Sequence, residues 1–395
     1  MSISRNIAEA MERGSWIRRM FEEGIKLKAL HGADNVFDFS LGNPDLPPPP
    51  EFQKVLEEEA AKDTPLIHCY MPNAGFPQTR QALADEYTKD TGIPFSQNQV
   101  IMTSGAGGAM NVVLKSILEP GDEVLVLAPF FVEYGFYITN HGGEMVVVQT
   151  DEHFMPDLAL IEQHVTSRTR AIIINSPNNP TGVMYPEETL GDLAELLQNL
   201  SVSRGRTLYL ISDEPYRQLV YGDRVYPSPF RFYDETIVVT SNSKDLSLAG
   251  ERIGHIAISP KCAAHDQLSA ACTFSNRVLG FVNANALMQR VVARLVGIHV
   301  DMSIYERRRN LISNGLRDMG FEFEEPQGAF YLFPKSPIKD DREFASFMNK
   351  YRVIIVPGSG FFRPGHFRIS YAVPDITIER SLEHFAKAAR ELGLS

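Results

Sequence analysis

The sequence predicts an α/β protein: a mostly parallel, seven-stranded sheet sandwiched by helices, with a smaller α+β domain beside it. Between residues 98 and 260, short runs rich in Val, Ile and Leu alternate with helix-like stretches. Near-continuous apolar runs are typical of strands buried on both faces, and their alternation with helices favours a parallel sheet. The runs are QVIMTS, EVLVLAP, EMVVVQT, RAIIINS, LYLIS, TIVVTS and HIAIS.

Helical periodicity fills two of the gaps between these strands. Residues 105–118 and 187–200 place apolar side chains at the spacing of an amphipathic helix. Polar and small residues gather where the strands end, and open parallel sheets bind ligands at those carboxyl ends. A ligand site is therefore expected at that edge of the sheet.

The rest of the chain has a different pattern. An amphipathic helix containing Trp16 precedes SLGNPDLPPPP, whose proline run predicts an extended crossing. A long helical stretch is predicted from about residue 285 to Asp318, followed by short strands at FEFEEP, AFYLFP and FRISYA. We expect a large α/β domain over residues 46–285, and a small α+β domain formed by residues 1–45 with 286–395.

Composition excludes several classes of function. The formal net charge of −11 opposes binding to nucleic acid, and the basic run Arg307-Arg308-Arg309 fits a solvated helix face. The three scattered cysteines form no CxxC pair, which favours a reducing compartment, and the histidines form no metal-binding motif. No apolar run approaches the ~20 residues that cross a bilayer. We therefore expect a cytoplasmic protein with neither a metal nor a membrane partner.

Two loops at the expected ligand-binding edge are ambiguous when taken singly. GAGGAM, residues 105–110, follows a strand and opens a helix, so its backbone N–H groups could hold a phosphate. A tight strand-to-helix turn explains the same residues equally well. INSPNNPTG, residues 174–182, could aim an amide at a ligand, although Asn-Pro and Thr-Gly are also common in turns.

Asp213 directly follows the apolar run LYLI, so its carboxylate should lose most of its water. That loss costs several kcal/mol unless a cation or hydrogen-bond donors compensate it. A buried salt bridge or a helix cap would explain the residue, and so would a cationic ligand. Tyr216, three residues later, could place a phenol near the same ligand.

Lys244 follows the apolar run TIVVT and raises the same question with the opposite charge. Loss of water and nearby cations lower the pKa of a lysine, which is what a lysine needs to form a Schiff base. Ser241 and Arg252 supply donors, and an arginine fork suits a phosphate. Taken alone, Lys244 could equally be a solvated or surface-paired lysine.

Arg368 lies within the apolar, strand-like run HFRISYA. It could pair with a protein carboxylate or clamp the carboxylate of a substrate. Considered together, these residues offer a phosphate cradle, a carboxylate, a phenol, an amide, an amine and a carboxylate clamp. Those groups suit pyridoxal phosphate holding an α-amino acid, where the cofactor takes up electrons and the protein orients the reactants.

Taken in chain order, these segments resemble the class I/II aminotransferases, specifically the aspartate aminotransferase-like, pyridoxal phosphate-dependent enzymes of fold type I. The segments are SGAGGA, PFFVEY, NSPNNPTG, DEPY, SNSKDLSLAGERIG, QGAFY and FRIS. The combination of NPTG, SxSK and an arginine eight residues after the lysine is highly specific. The resemblance implies transfer of an amino group from an L-α-amino acid to a 2-oxo acid such as 2-oxoglutarate or pyruvate.

The resemblance also implies a role for each matching residue. Lys244 would form the Schiff base with the cofactor and carry a proton between the substrate Cα and the cofactor C4′. Asp213 would hold the pyridinium N–H, and Tyr216 and Asn179 would bond the 3′-oxygen. The phosphate would be bound by Ser241, Arg252 and the backbone of Gly105, Ala106 and Gly107. Phe131 would stack on the ring. Arg368, with Asn179 and Gly42, would bind the substrate carboxylate. Tyr70 would reach the phosphate in a neighbouring subunit, which implies a homodimer with shared active sites.

Three departures from the family pattern make specificity for dicarboxylates doubtful. Gly107 stands where many relatives have a lysine, Phe131 replaces the usual tryptophan or tyrosine, and Glu251 replaces a frequent tryptophan. Arg277 could supply the missing cation, although an interface salt bridge would also explain it. Two further functions remain open: a lyase of the same fold, of the C–S β-lyase or aminocyclopropane-carboxylate-synthase kind, and a cofactor-binding sensor. The acidic charge argues against the sensor.

Overall fold

The computed structural model describes residues 16–394 together with residues 3, 4, 7, 8 and 11. Most of the predicted amino-terminal segment before Trp16 lies outside the described residues. The α-helices are α1 (Trp16–His31), α2 (Pro50–Ala60), α3 (Pro77–Thr91), α4 (Gly105–Ile117), α5 (Glu133–Asn140), α6 (Leu158–His164), α7 (Glu187–Arg204), α8 (His265–Val278), α9 (Ala286–Ala293), α10 (Met302–Asp318), α11 (Asp341–Asn349) and α12 (Asp375–Leu392).

A seven-stranded sheet forms the centre of the molecule, which confirms the predicted fold class. The strands are β1 (Phe37–Asp38), β2 (Val100–Thr103), β3 (Glu123–Ala128), β4 (Glu144–Gln149), β5 (Thr169–Asn175), β6 (Tyr209–Asp213), β7 (Thr236–Ser241), β8 (Gly254–Ile258), β9 (Tyr331–Leu332), β10 (Val353–Ile354), β11 (Val356–Pro357) and β12 (Phe367–Ser370). The large sheet has the order β2-β8-β7-β6-β5-β3-β4. Only β8 runs antiparallel to its neighbours, and the other pairs are parallel.

The apolar character of the central strands follows from burial on both faces. In β5, Ile173 packs against α4, whereas Ile172 and Ile174 pack with α7 on the opposite face. Successive side chains of a strand point to opposite faces, so a strand covered by helices on both sides is apolar at every position. This covering leaves the strand ends as the place where polar side chains can gather.

A second core lies beside the sheet and uses the two ends of the described chain. In this core β1 pairs with β10, and β11, β12 and β9 form a small antiparallel sheet. Its buried side chains include Phe39, Tyr305 and Phe385, and it reaches Tyr216 near the end of β6. The domain bounds stay a prediction. Helix α9 was expected in the small domain, which was to include residues 286–395, but it packs with α2 and α3 on the side of the large sheet.

Two predictions of secondary structure were wrong. The helix expected from about residue 285 to Asp318 is two helices, because Gly297 adopts a φ of 80° and Asp301 caps the start of α10. The segment FEFEEP forms no strand. One of its carbonyls, that of Glu322, accepts a backbone bond from Lys335, but Pro326 has no N–H and its carbonyl accepts from Arg309 instead.

None of the helices in the described residues is long and apolar enough to cross a membrane. 

Candidate active site

A cavity of about 300 Å³ opens where β5, β6 and β7 end and α4 begins. This is the edge of the sheet at which the sequence predicts a ligand. The predicted site residues that line the cavity are Gly42, Ala106, Gly107, Phe131, Asn179, Asp213, Tyr216, Ser241, Lys244, Arg252 and Arg368. They come from seven separate segments of the chain, so the convergence is a property of the fold.

Lys244 lies in the loop after β7, with its amine directed into the cavity. Its Nζ donates to the carbonyl of Gly42 at 2.7 Å. Burial lowers the pKa of Lys244 to about 8, and the positive charges of Arg368 and Arg252 add to that effect. At slightly alkaline pH, a substantial fraction of this amine is therefore unprotonated and able to act as a nucleophile or base.

The backbone at residue 42 passes too close to Tyr331 for any residue with a side chain. A Cβ on Gly42 would overlap the hydroxyl of Tyr331. Glycine at this position lets the backbone enter the cavity beside Tyr331.

Asp213 is the last residue of β6 and is only 7% exposed. Tyr134 donates its hydroxyl to Asp213 Oδ2 at 2.5 Å, whereas the buried Oδ1 has no hydrogen-bond partner. Burial raises the pKa of Asp213 to about 7, against the opposing effect of the bond from Tyr134. No protein cation pairs with Asp213 within the described residues, so the salt-bridge interpretation is not realised.

The loop after β5 fixes the position of Asn179. Asn175 accepts a bond from the Asn179 backbone N–H at 2.7 Å and donates to the carbonyl of Asp213 at 2.8 Å. One amide thus holds the ends of two neighbouring strands in register. The side chain of Asn179 is left free to face the cavity and Arg368.

Arg368 is a buried cation that has no carboxylate beside it. Its side chain is 2% exposed, Nη1 donates to Asn179 Oδ1 at 3.1 Å, and Nη2 donates to the carbonyl of Ser40. Nε has no partner, and no acidic side chain of the described residues pairs with the guanidinium. The rings of Tyr331 and Phe361 lie 4.8 and 4.9 Å away and hold it in place.

A pair of tyrosines lies between Lys244 and Arg368. The hydroxyls of Tyr216 and Tyr331 are 2.8 Å apart. Burial and the neighbouring Tyr331 hydroxyl raise the pKa of Tyr216 well above its usual range, so its phenol stays protonated. It is thus available as a hydrogen-bond donor to a ligand oxygen.

The amino end of α4 forms the opposite end of the cavity. The first N–H groups of a helix have no partner within the helix and carry partial positive charge. Gly105 opens α4 with a φ of 72°, and a Cβ there would lie 2.6 Å from Arg252 Nη2. Arg252 itself adopts a φ of 52°, a strained conformation for a residue with a side chain, and its guanidinium lies close to Gly105. Ser241 Oγ bonds Ser243 Oγ at 3.0 Å at the same end.

Two predicted residues, and one hypothesised cation, do not line the cavity of their own chain. Gly105 contributes backbone beside Arg252, Tyr70 is 89% exposed, and Arg277 is exposed with its guanidinium 5.2 Å from the Phe274 ring centroid. Within the described part of the chain, no cluster of His, Cys, Asp or Glu side chains is placed to hold a metal ion.

Sequence reasoning gave no role to several residues that line the cavity. Tyr134 and Tyr331 were contained in the segments PFFVEY and QGAFY, but nothing in the pattern showed that their hydroxyls point inwards. The other cavity-lining residues without a predicted role include Met110, Tyr137, Asn175, Pro215, Ser243 and Ala249.

The chain is similar to known proteins over nearly its whole length. The model of the family "Aminotransferase class I and II" matches residues 34–385. The aspartate/prephenate aminotransferase of Thermus thermophilus is 34% identical over 373 residues, which cover 92% of this chain and 91% of that protein. Aromatic-amino-acid aminotransferase 2 of Thermococcus litoralis is 31% identical over 401 residues, covering 97% and 98%.

Solved structures show the same relationship. An amino transferase from Eubacterium rectale superposes with a TM-score of 0.96 at 35% identity and covers 99% of both chains. The aspartate aminotransferase of Thermus thermophilus with maleate gives a TM-score of 0.86 at 29% identity, covering 98% of this chain and 99% of that one. With the family match, the shared fold and the cavity described above, this chain belongs to the class I and II aminotransferases.

Proposed function

We propose that the cavity holds pyridoxal phosphate, the cofactor of the class I and II aminotransferases, and that Lys244 is its catalytic residue. The buried groups fit this cofactor. Asp213 Oδ1 is buried without a partner, as expected of an acceptor for a ring N–H. The amine of Lys244 suits an aldehyde, and the end of α4 with Arg252 suits a phosphate.

The cavity divides into regions that match the parts of the cofactor. Asp213 would hold the ring N–H, Phe131 would pack on the ring, and Tyr216 with Asn179 would bond the 3′-oxygen. The phosphate would be bound by Ser241, Arg252 and the backbone N–H groups of residues 105–107. The support for this division is that all these groups, apart from Gly105 beside Arg252, line one cavity of about 300 Å³.

Amino transfer requires that a proton be moved at the substrate Cα. The bound cofactor supplies an electron-withdrawing ring that takes up charge from the Cα atom. Lys244 would take the proton from Cα and deliver it to C4′ of the cofactor, and its pKa of about 8 suits both roles near neutral pH. Arg368 binds the substrate α-carboxylate through two parallel N–H groups and so fixes Cα beside Lys244.

The observation that carries the proposal is the unpaired state of Arg368. Burying an arginine without an acidic partner is strongly unfavourable unless a ligand completes the pair. The guanidinium lines the same cavity as Lys244, whose pKa it lowers. An α-amino acid offers a carboxylate for Arg368 and a Cα–H for Lys244 at once.

The test is a half-reaction between the holoenzyme and single amino acids, without an acceptor. A transaminase converts the bound cofactor stoichiometrically to its amine form, with loss of the aldehyde absorbance and release of one 2-oxo acid. Lys244→Ala should slow the conversion by at least ~10²–10⁴-fold, as expected for a positioned acid/base. Release of ammonia with the cofactor left in its aldehyde form would instead identify a lyase and refute the proposal.

We also propose a restriction on the substrate side chain. In the described residues, Lys244, Arg252 and Arg368 are the cations that line the cavity, and the proposed binding mode occupies all three. A second substrate carboxylate would need another cation, and Arg277 of a second copy is the candidate that the sequence offers. A panel of acidic, aromatic and aliphatic amino acids with 2-oxoglutarate and pyruvate would identify the pair used.

We propose that the protein is a homodimer. Its support is a group of exposed apolar side chains on adjoining segments: Leu66, Tyr70, Phe274 and Val278. The two segments are joined where Asn283 Nδ2 donates to the carbonyl of Met71 at 3.3 Å. Apolar side chains grouped on one surface favour contact with another protein surface, here a second copy. Tyr70 would then enter the neighbouring cavity, as the family resemblance implies.

A further inference from the structure

The amino end of α4 lacks a side chain at the position where it faces the cavity. Gly107 has an ordinary helical backbone and lines the cavity, yet it has no group of its own to offer a ligand. A Cβ built on Gly107 would lie 3.1 Å from the hydroxyl of Tyr137 and 3.7 Å from its Cζ. The Tyr137 hydroxyl therefore occupies the space that a side chain at residue 107 would use.

The hydroxyl of Tyr137 is a free donor in this position. Tyr137 lies on α5, lines the cavity, and has no hydrogen-bond partner among the residues that the structure describes. Burial raises the pKa of Tyr137 to about 12, so the phenol keeps its proton at neutral pH. Gly105 and Gly107 both lie at the start of α4, so Arg252, which is close to Gly105, and the Tyr137 hydroxyl, which is close to Gly107, lie at the same end of the cavity.

An anion bound at the start of α4 would thus be flanked on both sides. Arg252 approaches the helix at Gly105, and Tyr137 approaches it at Gly107. The helix N–H groups and the guanidinium can only donate hydrogen bonds, and the protonated phenol can donate one as well. The arrangement suits a dianion with several acceptor oxygens.

We propose that Tyr137 is a phosphate ligand of the cofactor, supplying through its hydroxyl the donor that Gly107 lacks. The inference rests on the proposed function of the cavity. It assigns Tyr137 to cofactor binding and not to recognition of the substrate side chain.

The experiment compares cofactors with and without the phosphate. The full-length protein, as wild type and Tyr137→Phe, is freed of its cofactor and then equilibrated with a series of pyridoxal phosphate concentrations and, separately, of pyridoxal. The bound fraction is measured from the absorbance of the lysine-linked cofactor. Loss of one hydrogen bond to a charged group should weaken binding of pyridoxal phosphate about 10-fold. Binding of pyridoxal, which has no phosphate, should not change.

The structure offers both a rescue and a control. In the Tyr137→Phe background, Gly107→Ser supplies a new hydroxyl at the same end of α4, and its Cβ fits because the ring carbon left behind is at an ordinary contact distance of 3.7 Å. This double variant should recover most of the lost affinity. Tyr351→Phe removes a hydroxyl that bonds Glu391 at the surface and should affect neither cofactor.

The outcomes separate this inference from the proposed function. If wild-type protein binds pyridoxal phosphate through Lys244 but Tyr137→Phe weakens both cofactors equally, or neither, the phosphate role is overturned. A change confined to the KM for the amino acid would also overturn it and would assign Tyr137 to the substrate. If the wild-type protein forms no lysine-linked cofactor, the proposed function itself fails.

Discussion

Asp213 should make the cofactor-free protein less stable as the pH rises, and Asp213→Asn should remove that dependence. In an unfolded chain, an aspartate has a pKa near 3.9. Burial in the folded protein raises the pKa of Asp213 to about 7. The folded state therefore holds the proton more tightly than the unfolded state, so the free energy of unfolding falls as the pH rises between those two values.

The size of the effect follows from the shift. About three pKa units at 1.36 kcal/mol each give a total loss of about 4 kcal/mol, complete above pH 7 and absent near pH 3. From about pH 5.5 to about pH 8, the wild-type protein should lose about 2 kcal/mol through this residue. Asparagine has no charge to desolvate, so the stability of Asp213→Asn relative to wild type should rise by that amount over the same range.

The assay is urea unfolding of the cofactor-free protein at several pH values. Glu214 and Asp245, whose pKa values burial also raises to about 7, are present in both proteins, so their effects largely cancel in the difference. Asp192→Asn changes an exposed aspartate on α7 and is the matched control, for which the difference should stay flat. When both proteins are saturated with pyridoxal phosphate, the wild type should become more stable than Asp213→Asn. The reason is that only the ionised Asp213 can hold a protonated ring nitrogen, so the cofactor stabilises the wild type more. A difference that is flat, or that falls with rising pH, would refute the reasoning.

Two predictions concern substrate binding. Arg368→Lys keeps the charge but loses the two parallel N–H groups, so kcat/KM for the amino acid should fall by about 10²-fold or more, whereas the affinity for pyridoxal phosphate should stay within a few-fold of wild type. Steady-state kinetics measure the first quantity and cofactor titration measures the second. An equal loss in both would contradict the role of Arg368 as a clamp. Arg277→Ala should raise the KM for an acidic amino acid about 10-fold while leaving an aromatic donor or alanine nearly unchanged; an equal effect on all donors would reject Arg277 as the cation for a second carboxylate.

The sheet could be predicted from the sequence because burial on both faces imposes apolar side chains at every strand position. The small strands were harder. FEFEEP has the alternation of a strand, yet its backbone groups form no ladder, and alternation alone does not reveal the absence of a pairing partner. The break between α9 and α10 depends on one glycine, Gly297, whose positive φ no periodicity analysis detects.

The charged residues of the cavity could be predicted because each is in an unfavourable place in the sequence. Asp213, Lys244 and Arg368 all lie in or beside apolar strands, where an ionisable side chain needs an explanation. Tyrosines give no such signal, because a buried aromatic ring is ordinary in a core. Tyr134 and Tyr137 occur three residues apart on α5, and only the packing of α5 against α4 turns their hydroxyls into the cavity.

The contacts of Arg368 determine when the site can form during synthesis of the chain. The guanidinium bonds a carbonyl 328 residues earlier, at Ser40, and an amide 189 residues earlier, at Asn179. Contacts of such long range form slowly, because a large loop must close before they contribute any stability. The large sheet, with Asp213 and Lys244 at its edge, can assemble on the ribosome before Arg368, the partner of the Ser40 carbonyl, has been synthesised. The nascent chain would therefore gain its groups for the cofactor before it gains its clamp for the amino acid.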